Sequence, residues 1–395
     1  MLRFLTAGES HGPALVAILE GMPAGVGLTE DDLNIDLARR QGGFGRGGRM
    51  KIERDQARIL SGVRGGVTTG SPIALMISNA DDRSGVKEPP LVRPRPGHAD
   101  LPGWLKYGPG DMRDILERAS ARETAIRCAL GGVAKRLLSG FDIRVVSQVI
   151  QIGEVRAREV PSSWVERSEL AEGSPVRCPD PDASRAMVAE ISRAGEDGDT
   201  LGGVFEIAVL GCPPGLGSHV HWDRRLDGRL GGALMAINGI KAVEIGLGIE
   251  CARLAGSQVH DEISYRPHGG GGGGGGHNLN GDHGGMPRWG YSRRTNNAGG
   301  IEGGISNGEP IVLRTAMKPI ATLRRPLRSV DIRNKEVALA QHERSDVCAV
   351  PAASVVGEAV VALVIADAFL EKFGGDNIAD IMGAYRAYLE RISRS

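Results

Sequence analysis

Residues 6–13 read Thr6-Ala7-Gly8-Glu9-Ser10-His11-Gly12-Pro13, which sets a hydroxyl and an imidazole side by side between glycines. Gly8-x-Ser10-x-Gly12 matches the nucleophile elbow of serine hydrolases, where a strained strand-to-helix turn exposes the serine. That chemistry needs an oxyanion hole built partly from an earlier strand and loop, and only seven residues precede Gly8. The run that follows, Ala14 to Glu20 closed by Gly21, Met22 and Pro23, is short and apolar and suits a strand at least as well as a helix. His11 is the stronger candidate, because an imidazole titrates near neutrality and can hold and give a proton.

Anion recognition is the second chemistry the residues suggest. Of 48 basic residues only 8 are lysine, and the fork of the arginine side chain matches phosphate and carboxylate. Formal net charge is zero, which argues against a dedicated nucleic-acid binder and leaves any cationic site to local placement. Metal chemistry has little support. Cys128, Cys178, Cys212, Cys251 and Cys348 are odd in number and widely spread, so reduced structural thiols are expected. His260, His268, His277 and His283 surround a run of eight glycines, Gly269 to Gly276, but polyglycine cannot hold ligands in fixed geometry. A flexible insertion at about 266–292 is the expectation, with no metal site.

The elements that must position these residues are legible in outline. Thr29 before Glu30, Asp31 and Asp32 reads as a helix N-cap, and the helix carries Leu33, Leu37 and Arg40 on one face. Residues 41–51 are too rich in glycine for regular structure and read as a mobile basic loop. Short apolar runs at Arg58–Val63, Pro72–Ser78, Ile143–Ile152, Val204–Leu210 and Ile311–Ala316 read as strands. Helical spacing marks Ser120–Leu138, Asp223–Ile237, Val355–Phe373 and a C-terminal helical tail at about 376–395. Strands often follow strands, so the expected class is α/β of the α+β type, with helices packed against antiparallel sheets. A single large domain over 1–395 is expected.

Hydrophobic residues make up 41% and charged residues 24%, the composition of an ordinary globular protein. No secretion signal opens the chain, and the apolar stretch Val355–Leu370 carries Glu358 and Asp367, which argues against a membrane span. A cytoplasmic protein is expected.

Several motifs together make the chain resemble the chorismate synthase family. They are Gly8-Glu9-Ser10-His11-Gly12, Arg39-Arg40-Gln41 with Gly45-Arg46-Gly47, Arg95-Pro96-Gly97-His98-Ala99-Asp100, Arg118-Ala119-Ser120-Ala121-Arg122-Glu123-Thr124, Thr295 to Ile305, Lys318-Pro319, and Arg344-Ser345-Asp346-x-Cys348. The resemblance implies a β-α-β sandwich and a carbon–oxygen lyase acting on phosphates. Its reaction converts 5-enolpyruvylshikimate 3-phosphate to chorismate by 1,4-elimination, the last common step of the shikimate pathway to aromatic amino acids. It also implies reduced FMN as cofactor, NADPH as reductant in those members that reduce their own flavin, and a homotetramer with no nucleic-acid or membrane partner. By motif match, His11 would be the acid toward the departing phosphate and His98 would balance charge at the flavin, while Asp346, Ser10 and Ser120 would relay a proton. Arg40, Arg46, Arg95 and Arg122 would line the substrate region. FMN would be held by Arg118, Ala119, Ser120, Asn238, Gly239, Gly303, Lys318, Pro319, Ile320, Ala321, Thr322 and Arg344.

Two positions depart from the family pattern. Gly246-Leu247-Gly248 lacks the family's usual carboxylate between the glycines, and Asn297 stands where a basic residue is common. With the glycine insertion, these leave two competing readings beside the lyase: a hydrolase using Ser10, and a flavin- or anion-binding protein that has lost turnover.

Overall fold

Alternation of buried and exposed residues builds the first sheet. In Ala14–Glu20 the side chains of Leu15, Ala17 and Leu19 are buried while Val16 and Ile18 face outward. Strands β1 (Arg3–Gly8), β2 (Ala14–Glu20), β3 (Ala57–Ile59) and β4 (Ile73–Ser78) pair antiparallel in the order β1-β2-β4-β3. The second sheet holds β5 (Arg144–Ile152), β6 (Val155–Arg156), β7 (Gly203–Leu210), β8 (Ile240–Ile245) and β9 (Ile311–Met317), also antiparallel, in the order β8-β9-β7-β5-β6. The computed structural model describes residues 2–47, 53–86, 88–108, 110–158, 160–265, 289–341 and 345–394.

Helices fill the space between the sheets. Besides α1 (Glu30–Gln41), α2 (Asp100–Tyr107) and α3 (Arg113–Ala119), the chain forms α4 (Thr124–Ser139), α5 (Trp164–Gly173), α6 (Pro181–Glu196), α7 (Leu226–Met235), α8 (Val350–Phe373) and α9 (Ile378–Ser393). The helix α4 lies on β2 and β4, α8 lies on β5 and β7, and the two helices pack on each other. This is the expected sandwich. One core cluster runs through it from Leu15 in the first sheet to Leu313 in the second.

The two central helices touch backbone to backbone. A Cβ placed on Gly131 of α4 would stand 2.3 Å from Cβ of Ala359 and 2.4 Å from its Cα, so only glycine permits this approach. By length and composition α8 could cross a membrane, but 89% of its apolar window is buried inside the fold. It begins five residues before the expected Val355, because Pro351 sits in the first turn, where the missing N–H has no intrahelical partner to lose.

Glu358, in the middle of α8, is fully buried. Its carboxylate accepts from Arg39 Nη1 and Nη2 of α1 at 2.7 and 2.8 Å, and from Lys135 Nζ of α4 at 2.7 Å. Ser147 Oγ of β5 donates to it at 2.6 Å and Arg177 Nη2 at 3.3 Å. Burial pushes this carboxyl up, but Lys135, Arg39 and Arg177 outweigh it and hold the group well below the usual carboxylate range.

One sequence expectation changes. The glycine-rich loop is fastened, not loose, over its described part, 42–47: Phe44 N–H donates to the Pro175 carbonyl at 2.7 Å and Val347 N–H to that of Gly45 at 2.8 Å. The C-terminal helix is docked, with Ile381, Tyr385 and Leu389 buried against Phe141, Phe369 and Phe373. Of the insertion expected at 266–292, residues 266–288, including the glycine run, His268, His277 and His283, lie outside the described residues. The strands Ile263–Tyr265 and Tyr291–Arg293 on either side pair with each other.

A contrast between two helical glycines tests the packing. Gly131→Ala is expected to lower stability by about 2 kcal/mol as α4 and α8 are forced apart, whereas Gly383→Ala, on α9 with nothing within 4 Å of a new Cβ, should raise it by about 0.5–1 kcal/mol. Urea titration of both variants measures the difference.

Candidate active site

The turn between β1 and β2 decides the role of Ser10. Gly8 has φ +107°, and a Cβ there would lie 2.3 Å from the Ala14 carbonyl oxygen. The chain then enters a strand, so the strand-to-helix geometry of a nucleophile elbow is absent. Ser10 is buried, its N–H donates to the Glu117 carbonyl at 3.1 Å, and its hydroxyl donates to Ser120 Oγ at 3.1 Å. His11 follows with its N–H on Glu117 Oε2 at 2.6 Å, its Nδ1 2.8 Å from Glu117 Oε1, and its Nε2 3.9 Å from Asp81 Oδ2.

These groups open onto a cavity of about 730 Å³. The end of α1 brings Arg40 to it, donating to Asp55 Oδ2 at 3.1 Å and to Thr124 Oγ1 at 3.1 Å. Burial draws the Arg40 guanidinium down from its usual range against the pull of Asp55. The short turn before α4 brings Arg122, whose Nη1 donates to Asp55 Oδ1 at 2.5 Å and whose Nε donates to Asn79 Oδ1 at 2.9 Å. One buried aspartate therefore orients two arginines. Among the described residues, Arg122 Nη2 has no hydrogen-bond partner, with Glu53 Oε2 at 3.6 Å.

Arg46 meets Asp346 through Nη1 at 2.5 Å, and the Gly47 N–H donates to the same carboxylate at 2.6 Å. Arg95 places Nε and Nη2 on Asp100 at 2.8 and 3.0 Å and Nη1 on Thr322 Oγ1 at 3.0 Å. His98 Nδ1 lies 2.5 Å from the same aspartate. Burial pushes the Asp100 carboxyl up, but the hydrogen bonds from His98 and Arg95 prevail and hold it well below the usual range. Arg95 thus lines the cavity while tying Asp100, His98 and Thr322 together.

Part of the cavity lining is apolar. Ile237, Met317, Ile320, Ala321 and Val356 form this part, with Asn238, Gly239, Lys318, Pro319 and Thr322 beside them. Asn238 Nδ2 donates to the Ala119 carbonyl at 3.0 Å, and its Oδ1 is buried with no partner among the described residues. Lys318 Nζ donates to the Gly97 carbonyl at 3.0 Å; burial, then the charge of Lys241, lowers this ammonium from its usual range.

Of the residues expected from motifs, Ser10, His11, Arg40, Arg46, Arg95, His98, Ala119, Ser120, Arg122, Asn238, Gly239, Lys318, Pro319, Ile320, Ala321, Thr322 and Asp346 share this cavity. Arg118 does not: its guanidinium turns away to the Thr6 and Gly8 carbonyls. Gly303 sits in the hairpin of Ile301–Glu302 with Ile305–Ser306, away from the lining. Arg344 lies outside the described residues. Leu247 and Asn297 meet each other at the end of β8, through the Leu247 N–H and the Asn297 carbonyl at 2.9 Å, and neither lines the cavity. Sequence reasoning missed Glu53, Asp55, Asn79, Asp81 and Glu117.

A family model for chorismate synthase matches residues 2–370. Curated relatives named chorismate synthase include that of Desulforamulus reducens, 56% identical over 96% of each chain. That of Moorella thermoacetica is 55% identical over 99% of this chain and 100% of its own. A crystal structure of chorismate synthase superposes with a TM-score of 0.79 at 44% identity, covering 100% of this chain and 99% of the other.

Asp55→Asn leaves two buried guanidinium groups without their shared anion and is expected to cost about 3 kcal/mol of stability. Inorganic phosphate should restore part of the loss, and more in the variant than in the parent, by supplying negative charge to the cavity. Thermal melts with and without phosphate check this; a variant melting like the parent would contradict it.

Proposed function

The chain belongs to the chorismate synthase family and is a lyase that converts 5-enolpyruvylshikimate 3-phosphate to chorismate and phosphate, and we propose that the cavity beside His11 carries this elimination. The observation that supports the reading is convergence: segments around residues 10, 40, 46, 98, 122, 238, 320 and 346 meet on one cavity. In the reaction a ring C–O bond to phosphate and a ring C–H bond break and a double bond forms, with no net oxidation.

The residues divide the work by charge. Arg40, Arg46 and Arg122 line the cavity, the first and last paired with Asp55 and the second with Asp346, and bind the phosphate and carboxylates of the substrate. His11 presents Nε2 to the phosphate oxygen as it departs and gives it a proton. Ser10 and Ser120, in hydrogen-bond contact, relay the proton removed from the ring together with the Asp346 carboxylate.

We propose reduced FMN for the apolar wall. The unpartnered Asn238 Oδ1 and the open backbone at Gly239 (φ +84°) fit a planar heteroaromatic ring with N–H donors, and Lys318 supplies a cation for its phosphate. When bound, the reduced flavin supplies transient electron density to the substrate as phosphate leaves. Ala119, Ser120, Asn238, Gly239 and Lys318 to Thr322 would hold it, and His98, fixed by Asp100, would balance its charge.

A cytoplasmic homotetramer completes the proposal. The exposed Leu5 (78%) and Ile18 (53%) on the outward face of the first sheet support self-association, and the tetramer and its compartment follow the family resemblance.

Purified protein with reduced FMN and substrate under anaerobic conditions is expected to release phosphate and form chorismate. His11→Ala should lower kcat by about a hundredfold or more and His98→Ala should weaken reduced-flavin binding, read by phosphate release and flavin fluorescence. Flavin binding without chorismate would favour the binding-protein reading, and turnover indifferent to His11→Ala would overturn its role as acid.

A further inference from the structure

We propose that Glu117 is the positioning residue of His11, holding the imidazole by Nδ1 so that Nε2 is the nitrogen that exchanges the proton in the cavity. The proposal rests on the reading of His11 as the acid and adds the device that sets its tautomer.

Three hydrogen bonds tie the Ser10–His11 turn to this one residue of α3. The backbone carbonyl of Glu117 accepts from Ser10 N–H at 3.1 Å, its Oε2 accepts from His11 N–H at 2.6 Å, and its Oε1 lies 2.8 Å from His11 Nδ1. An ionised carboxylate only accepts, so Nδ1 must carry its proton in both the neutral and the charged ring. The opposite tautomer would set a lone pair against the carboxylate. Nε2 is then left to change state, a donor before proton transfer and an acceptor after it.

Burial strengthens the arrangement. The Glu117 side chain is 12% and the His11 side chain 21% exposed, so their attraction is only partly screened. The other charged groups around the ring come from separate elements. Asp81, after β4, approaches Nε2 at 3.9 Å and is itself held by Arg83 Nε at 2.9 Å. Glu9 lies against Gly12 on the same turn, Arg118 of α3 faces β1, and Arg46 with Asp346 lines the same cavity. Glu117 is the carboxylate that meets Nδ1.

The motif that contains Glu117, Leu116-Glu117-Arg118-Ala119-Ser120, also explains why two distant blocks act together. One residue of α3 fixes the His11 turn, while Ser120, three positions on, receives the Ser10 hydroxyl. A rigid helix end thereby sets both members of the site.

The test is a double-mutant cycle on the full-length protein with reduced FMN and the enolpyruvyl phosphate substrate, using Glu117→Gln, Glu117→Asp, His11→Ala and the Glu117→Gln/His11→Ala pair. Glu117→Gln is expected to lower kcat about tenfold or more with KM held within about twofold. Removing the negative charge should also move the alkaline limb of the kcat profile to lower pH by about one unit. Added to His11→Ala it should cost nothing further, and Glu117→Asp, which keeps the charge and also serves if the amide variant does not fold, should retain the parent alkaline limb. Equal losses with and without His11, or an unmoved limb in Glu117→Gln, would show that Glu117 acts only on the fold. A His11→Ala enzyme with parent turnover is a different result, and it would overturn the reading of His11 itself.

Discussion

The structure depends on one buried carboxylate. Glu358 sits in the most apolar helix of the chain, where an unpaired charge would be intolerable, and it is accommodated only because α1, α4, β5 and the segment before α6 each bring it a donor. Such a group specifies arrangement more than it adds stability. A hydrophobic core accepts many relative rotations of its helices, but the Glu358 cluster is satisfied by one. Its consequence for the site lies in consecutive residues: Arg39 is locked to Glu358, so Arg40, about 100° further round α1, is turned toward the cavity.

The same logic recurs at the cavity. Asp55 pairs with Arg40 and Arg122, Asp346 with Arg46, Asp100 with Arg95 and His98, and Glu117 with His11. Each partner holds a long or rotatable side chain in place before substrate arrives, so that little is left to reorganise during the reaction. This pairing reconciles an arginine-rich anion site with a chain of zero net charge. Arg95, itself in the cavity lining, links Asp100, His98 and Thr322 in the same way.

Much of this was legible in the residues. The Thr29 cap, the short apolar strand at Ala14–Glu20, the helical spacing of α4 and the C-terminal pair of helices all appear in the structure within a few residues of their expected limits. Local signals carry such elements because caps and periodicity act over a single turn or strand. The partners of the site residues were not legible, since Asp55 lies 67 positions from Arg122 and Glu117 lies 106 from His11. Nothing in a short window marks an acidic residue as the one that will meet a given cation.

The sequence by itself determined which residue types could do the chemistry: an imidazole beside a hydroxyl at residues 10–11, arginines for oxyanions, and glycines where backbone must approach closely. Tertiary structure alone decided their placement. It made Ser10 a buried hydrogen-bonding hydroxyl by following its turn with a strand, turned Arg118 away from the cavity, and placed Glu117 at the Nδ1 of His11. The reason is physical. Reactivity depends on distance, burial and the nearest charge, and these are properties of the packed chain, not of the order of its residues.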